Sequence, residues 1–340
     1  MCDPDHAIAG VSVSKRGGCD HVGTSDSPPH PVLARVVVVP GLRRMPRPVA
    51  VRYRLRERVL GPGGRTPRQA ADAIRRFALG DVTRFTSAHQ LSFEDTLLRL
   101  IGGTTSLARF GDGELLSMLR PGYDLYFQRT TPELSAELRG IWTMKDLDAD
   151  SLLLGFPNLS KGPYWADVWA NAWPDLRLIS RTDITYGNTH VTRPRFFSRL
   201  GKRGVDLWRQ VWADRSVCVV TGRGSRFVPI AELFDSAASV SREDAPSIDA
   251  YAHIDALEQR LLAVPADIHL LSLGPTATVL AARLSRRGRR AIDIGHITSS
   301  YRTVFFGDAR PEHQPMNSDR RAGSPRVASA SEPAQGARPA

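Results

Sequence analysis

The middle of the chain is a series of short apolar runs punctuated by turn residues. They lie at 106–110, 151–157, 176–180, 216–222, 268–274 and 291–295. Several, such as Ser216-Val-Cys-Val-Val-Thr-Gly, are continuously apolar rather than alternating. That pattern predicts parallel strands covered on both faces. Between them, apolar residues at three- and four-residue intervals predict helices at 131–145, 195–212, 248–264 and 276–288. Upstream, 66–79 predicts a helix with Pro67 in its first turn, and 92–103 a second one. Ser92 can cap the second, Glu94 and Asp95 suit its positive end, and Gly102-Gly103 ends it. Trp165, Trp169 and Trp173 recur every four residues, as on the buried face of a helix. Strand alternating with helix predicts an α/β fold with a mostly parallel sheet.

Charge changes where function is sought. The 340 residues are 41% apolar, enough for a sizeable core, and carry a net charge of +11. Residues 1–85 hold +8 of it, 309–340 hold +2, and 86–308 only +1. The expected organisation is a basic extension over 1–85, disordered or partly helical, a folded domain over 86–308, and a disordered tail over 309–340. A nucleic-acid-binding fold carries its basic patch on the folded part, so specific nucleic-acid binding is not expected. A basic protein whose flanks bind nucleic acid without specificity, or an anionic membrane surface weakly, stays open as an alternative. The apolar run 35–41 is far too short to span a bilayer. No secretory signal is visible, and Cys2, Cys19 and Cys218 form no disulfide or metal-spacing pattern. Cys218 reads as a small core residue, and the expected location is cytoplasmic or peripheral at the inner membrane face.

The chemistry-bearing residues collect at the carboxyl ends of predicted strands, where ligands bind parallel α/β sheets. Gly111-Asp112-Gly113-Glu114 sets two carboxylates two residues apart, a pairing suited to Mg²⁺ or Mn²⁺ and hence to a diphosphate. An ordinary surface turn explains the same four residues. Gly222-Arg223-Gly224-Ser225-Arg226 brings guanidinium groups that bind phosphate bidentately, or forms a solvated basic loop. Gly274-Pro275-Thr276 opens a helix whose N–H groups favour an anion, or is a plain strand-to-helix turn. Asp293-Ile294-Gly295-His296 supplies a borderline metal ligand, or a histidine anchored by hydrogen bonds. The polar stretch 186–194 suits a sugar or nucleobase pocket.

In this order, the segments resemble the GT-D-fold glycosyltransferases, a bacterial family first known as a domain of unknown function. The matching residues are Leu-Ala-Arg-Phe-Gly-Asp-Gly-Glu-Leu at 107–115, Gln128, Tyr-Gly-Asn-Thr-His-Val-Thr-Arg-Pro at 186–194, the runs at 219–227 and 271–281, Leu233-Phe234, and 291–296. The resemblance spans about 90–305. It implies a Rossmann-like, mostly parallel sheet with helices on both faces. It also implies sugar transfer from a nucleotide-sugar donor, typically UDP-linked, to a glycan or glycoprotein acceptor, with Mn²⁺ (or Mg²⁺). The family's D-x-E motif falls on Asp112 and Glu114, and its G-H histidine on His296, as holders of the metal and diphosphate. Arg109, Gly111, Gln128, Asn188, Arg193, Gly222, Ser225, Arg226, Gly274, Pro275 and Thr276 become donor-pocket residues. Family members often carry acids after the G-H pair, whereas this chain has Thr298, Ser299 and Ser300. Asp293 then stands as the candidate acceptor base. A phosphohydrolase using the same carboxylates is the competing enzymatic reading.

Overall fold

The structure, a computed structural model, describes residues 67–101, 103–157 and 163–311. The expectations of disorder and membrane contact over 1–66 and 312–340, with Cys2 and Cys19, lie outside the described residues. No helix among the described residues is long and apolar enough to cross a membrane.

Seven strands form one sheet, and every pairing in it is parallel. They are β1 (Ser106–Arg109), β2 (Leu152–Phe156), β3 (Gly187–Asn188), β4 (Ser216–Gly222), β5 (Ser239–Ala245), β6 (Ile268–Ser272) and β7 (Ala291–Asp293). Their spatial order is β3-β2-β1-β7-β6-β4-β5. The chain steps outward from β1 to β3, crosses to β4 and β5, and returns through β6 to β7 beside β1. There Leu107 is in register with Ile292. The crevice between β1 and β7 is the switch point of a doubly wound sheet.

The eleven described α-helices are α1 (Pro67–His89), α2 (Phe93–Ile101), α3 (Asp112–Leu119), α4 (Pro132–Trp142), α5 (Pro163–Ile179), α6 (Pro194–Leu200), α7 (Lys202–Val211), α8 (Ala231–Phe234), α9 (Ile254–Ala263), α10 (Pro275–Arg286) and α11 (Ile297–Phe305). Local chemistry starts several of them. The Asp95 N–H donates to the Ser92 hydroxyl at 3.1 Å, and the Leu134 N–H to the Thr131 hydroxyl at 3.2 Å. Both satisfy donors that a helix start leaves open.

The core lies on both faces of the sheet. Along β4, Val217 and Val219 join one apolar cluster, with Trp208, Trp212 and Phe196. Cys218 and Val220 join the other, with Trp142, Trp169 and Trp173. Alternate side chains point to opposite faces, so a strand covered on both sides must be apolar throughout. Cys218 is buried, as expected.

Three expectations are corrected, and one element is new. Residues 176–180 are not a strand, because Trp169, Trp173 and Leu176 sit at helical spacing on one buried face of α5, which runs on to Ile179. A five-residue apolar run cannot by itself separate strand from helix. The boundary at 86 falls inside α1, whose Ala78, Val82 and Phe85 are buried in the same core cluster as Trp173. Asp81 of α1 also accepts a hydrogen bond from the Trp173 indole at 2.9 Å. The stretch 195–212 breaks into α6 and α7 at Gly201, where φ is +52°. Finally, β5 was not foreseen, since Ser-Val-Ser-Arg-Glu-Asp-Ala has no apolar run. It is an exposed edge strand held by seven register positions along β4.

Candidate active site

β1, β7, β6 and β4 are consecutive in the sheet, so their carboxyl ends open side by side. The segments that follow them line one cleft of about 770 Å³. The β1 end contributes Arg109, Gly111, Asp112 and Glu114, and the β4 end Gly222, Ser225 and Arg226. Gly274 enters from the β6 end, His296 from the β7 end, and Arg193 from the turn after β3. The expected gathering of four strand ends into one site is what the topology builds.

The two acids are not a pair. Asp112 and Glu114 stand in the first turn of α3, behind the N-cap Gly111. Residues two apart on a helix project roughly 200° apart. Glu114 turns back to accept the Gly111 N–H at 2.8 Å, the acidic half of a capping box. Asp112 instead accepts a hydrogen bond from the Tyr164 hydroxyl. Withdrawal from water, with the nearby Asp293 charge, pushes the Glu114 carboxyl up to about 7. Among the described residues no three His, Cys, Asp or Glu side chains converge as a metal cage. Asp112, Glu114 and His296, the three expected metal holders, all line the cleft.

A second set of expected residues, led by Arg109 on the cleft floor, ties the strand ends together. Arg109 donates to the Asp293 carbonyl and carboxylate at 2.8 Å each, to the Thr189 carbonyl at 3.2 Å and to the Thr192 hydroxyl at 2.7 Å. Four of a guanidinium's five donors are thus spent on the protein. Asp293 is 2% exposed at its side chain and Arg109 11%, so this ion pair is buried at the switch point. Burial pushes the Asp293 carboxyl up, opposed by Arg109, the Gly295 N–H and the Thr278 hydroxyl. The Asp293 carboxylate, the expected candidate base, is therefore buried and engaged by Arg109 and the Gly295 N–H rather than open to the cleft. Gln128 is also buried, and its amide oxygen accepts from the Thr276 hydroxyl and the Tyr251 N–H at 3.1 Å. Thr276 and Pro275 are buried in the first turn of α10. The Asn188 side chain accepts the His190 N–H at 3.0 Å, capping a short 3₁₀ turn.

Two glycines are set by this packing. Gly295 has φ +44°, and a Cβ there would lie 2.1 Å from the Arg109 guanidinium. Gly274 has φ +58°, and its Cβ would meet the Phe127 ring at 2.6 Å. Only glycine fits where backbone approaches this closely with positive φ.

Two cleft residues escaped sequence reasoning, Tyr164 and Phe127, whereas Thr189 and His190 lie in the polar stretch 186–194 expected to suit a pocket. Trp165, for which the sequence offers both a buried helix face and a sugar-binding surface, lines the cleft and meets the His190 ring at 5.5 Å between centroids. Loss of hydration, with the charges of Arg193, Arg109 and Arg195, pushes His190 down to about 3, so it is neutral at physiological pH. Within the polar stretch 186–194, Tyr186 is core, stacked on Trp142 at 5.3 Å. Thr298 and Ser299, where the family resemblance leads one to look for acids, line the cleft instead.

A family model described as the glycosyltransferase GT-D fold matches residues 107–313. The chain is 33% identical over 236 residues to the "Probable glycosyl transferase Gly" of Streptococcus gordonii, covering 64% of this chain and 33% of that protein. It is 30% identical over 227 residues to the "Glycosyltransferase GlyD" of Streptococcus pneumoniae, covering 63% and 27%. The chain thus spans about a third of the length of the curated relatives it matches. Among solved structures it is similar to domain of unknown function 1792, described as a distinct glycosyltransferase fold. That match has a TM-score of 0.59 at 24% identity over 68% of this chain and 86% of the other, and it bears on fold alone. It is also similar to "A New Glycosyltransferase" from Streptococcus sanguinis, with a TM-score of 0.57 at 30% identity over 68% and 91%.

Proposed function

Because the chain belongs to the glycosyltransferase GT-D fold family, we propose that it transfers a sugar from a nucleotide-sugar donor, UDP-linked, to a glycan or glycoprotein acceptor, with Mn²⁺ or Mg²⁺ in the donor site. The observation that carries this reading is the convergence of four adjacent strand ends on one cleft holding carboxylates and guanidinium groups together.

Breaking a sugar–phosphate bond develops positive charge on the sugar and negative charge on the departing diphosphate. Arg193 and Arg226 supply positive charge inside the cleft. Gly274 brings the positive end of α10 to the same cavity. The Trp165 and His190 rings offer an apolar, uncharged surface suited to a sugar or base face.

The donor set suits a cation that shares its shell with the substrate. Small hard cations commonly take one or two carboxylates and complete their shell with phosphate oxygens and water. Asp112 would hold it with those phosphates, and His296 is the further candidate ligand on the cleft wall. When bound, such a cation neutralises charge on the departing diphosphate as a Lewis acid. Tyr164 orients Asp112, and Glu114 secures the start of α3 on which Asp112 sits.

Calorimetric titration of the full chain with UDP, with and without MnCl₂, tests the proposal. Binding is expected to require the cation and to weaken at least about tenfold in Asp112→Asn, the equivalent of about 1.4 kcal/mol. Equal UDP affinity with and without cation would remove the metal from the proposal. Undiminished affinity in Asp112→Asn would remove Asp112.

A further inference from the structure

The four strands that open into the cleft also end, at their amino termini, around a second cavity. It measures about 240 Å³ and lies between the segments leading into β1, β4, β6 and β7. Its lining includes Arg215, Arg289, Arg290, Asp267 and Thr104. Three cations therefore face one acid.

That acid is already committed. Asp267 accepts the Ser216 N–H at 2.8 Å and the Ser216 hydroxyl at 2.7 Å; these bonds, with smaller help from the Arg215 and Arg289 charges, hold its carboxyl below the ordinary range, so one acid answers three cations. Among the described residues none of the three arginines forms an ion pair. Arg290 spends donors on the Thr105 carbonyl at 3.3 Å and the Leu100 carbonyl at 2.5 Å, the latter in the last turn of α2. Arg289 donates to the Val264 carbonyl at 2.5 Å, at the end of α9. Helix-end carbonyls are partial charges and compensate only part of a guanidinium. Burial and the proximity of Arg215 push Arg290 down to about 10, still protonated at neutral pH. Arg215 itself is exposed, and among the described residues no side-chain hydrogen bond engages it. Charges withdrawn from water are normally paired, and planar guanidinium groups match phosphate oxygens.

We propose that this amino-end cavity is a binding site for a tetrahedral oxyanion of the phosphate class, held by Arg215, Arg289 and Arg290. The ligand is free phosphate or the head of a phosphomonoester. The site is separate from the cleft and does not depend on the glycosyl-transfer reading.

The test is thermal unfolding of the full chain at constant ionic strength, with millimolar inorganic phosphate in one arm and glycerol phosphate in the other. A ligand that binds the folded state raises Tm with concentration. A saturating rise in either arm is expected, and the arm with the lower midpoint identifies the source. Arg215→Glu, at an exposed position, is expected to shift that midpoint at least about tenfold. Arg226→Ala, in the cleft, is expected to leave it in place. No rise in either arm would overturn the proposal. So would an Arg215→Glu chain that titrates like the parent, or a response abolished by Arg226→Ala alone.

Discussion

Two layers at the carboxyl end of the sheet carry residues of the same kinds and do opposite work. The upper layer faces the cleft with Asp112, Glu114, Arg193, Arg226 and His296. The lower layer ties strand ends to one another through Arg109, Asp293, Gln128 and Thr276. Thr278 of α10 adds a hydrogen bond to the Arg109 carbonyl at 2.8 Å. An arginine and an acid sit in each layer, and in the lower one the acid, Asp293, is buried against an arginine whose donors are spent on the protein. Solvent access leaves a charged group able to meet a ligand. Loss of water forces it to find a partner inside the protein.

The sharpest way to break this contrast is to disrupt the lower layer. Asp293→Ala strands the Arg109 guanidinium, which is 11% exposed, without its carboxylate. Losing one partner of a buried pair costs about 3–5 kcal/mol. Chemical denaturation should show that loss without any ligand present, and a loss below about 1 kcal/mol would place the pair among weak surface bridges. Gly274→Ala comes next. It forces a positive φ on a residue with a Cβ and drives that atom into Phe127. A cost of about 1–3 kcal/mol is expected from the same denaturation measurement.

Glu114 belongs to the upper layer but titrates as a group partly withdrawn from water. Its folded pKa of about 7 lies above the ordinary 4.5. Between those values the native state holds more protons than the unfolded one, so stability falls as pH rises from about 4.5 to 7. Below that window the group contributes no difference, and above it the loss is complete. In Glu114→Gln, which keeps an acceptor for the Gly111 N–H, this component of the pH dependence should disappear. An unchanged stability profile in that variant would show that Glu114 does not titrate in this window. The smallest stability effect is expected of Asp112→Asn, within about 0.5 kcal/mol of the parent. That near-neutrality in Tm, beside its loss of UDP affinity, would place the residue in the ligand-facing layer.

The chain's pattern reported a good deal of this in advance. The apolar runs at 216–222, 268–274 and 291–295 became β4, β6 and β7, because strands buried on both faces leave no room for polar alternation. The edge strand β5 was silent for the converse reason: its side chains are largely exposed, and only its backbone is committed to β4. The Asp112–Glu114 motif was visible as chemistry, but its local geometry was misjudged. A turn was expected, and a helix begins there instead, separating the two carboxylates. Tyr164 gave no signal at all, since it meets Asp112 from 52 positions away.

Periodicity, together with Gly and Pro punctuation, was enough to name the elements and to put the unusual residues at strand ends, because those signals act over a few residues. Which of these residues would line the cleft was decided by the order β1-β7-β6-β4. That order brings Arg109 to within 2.8 Å of Asp293, 184 positions away, and closes the Asp293 carboxylate off from water. Burial belongs to the assembled sheet and its covering helices, so no stretch of sequence read alone could tell the ligand-facing charge from the locked one.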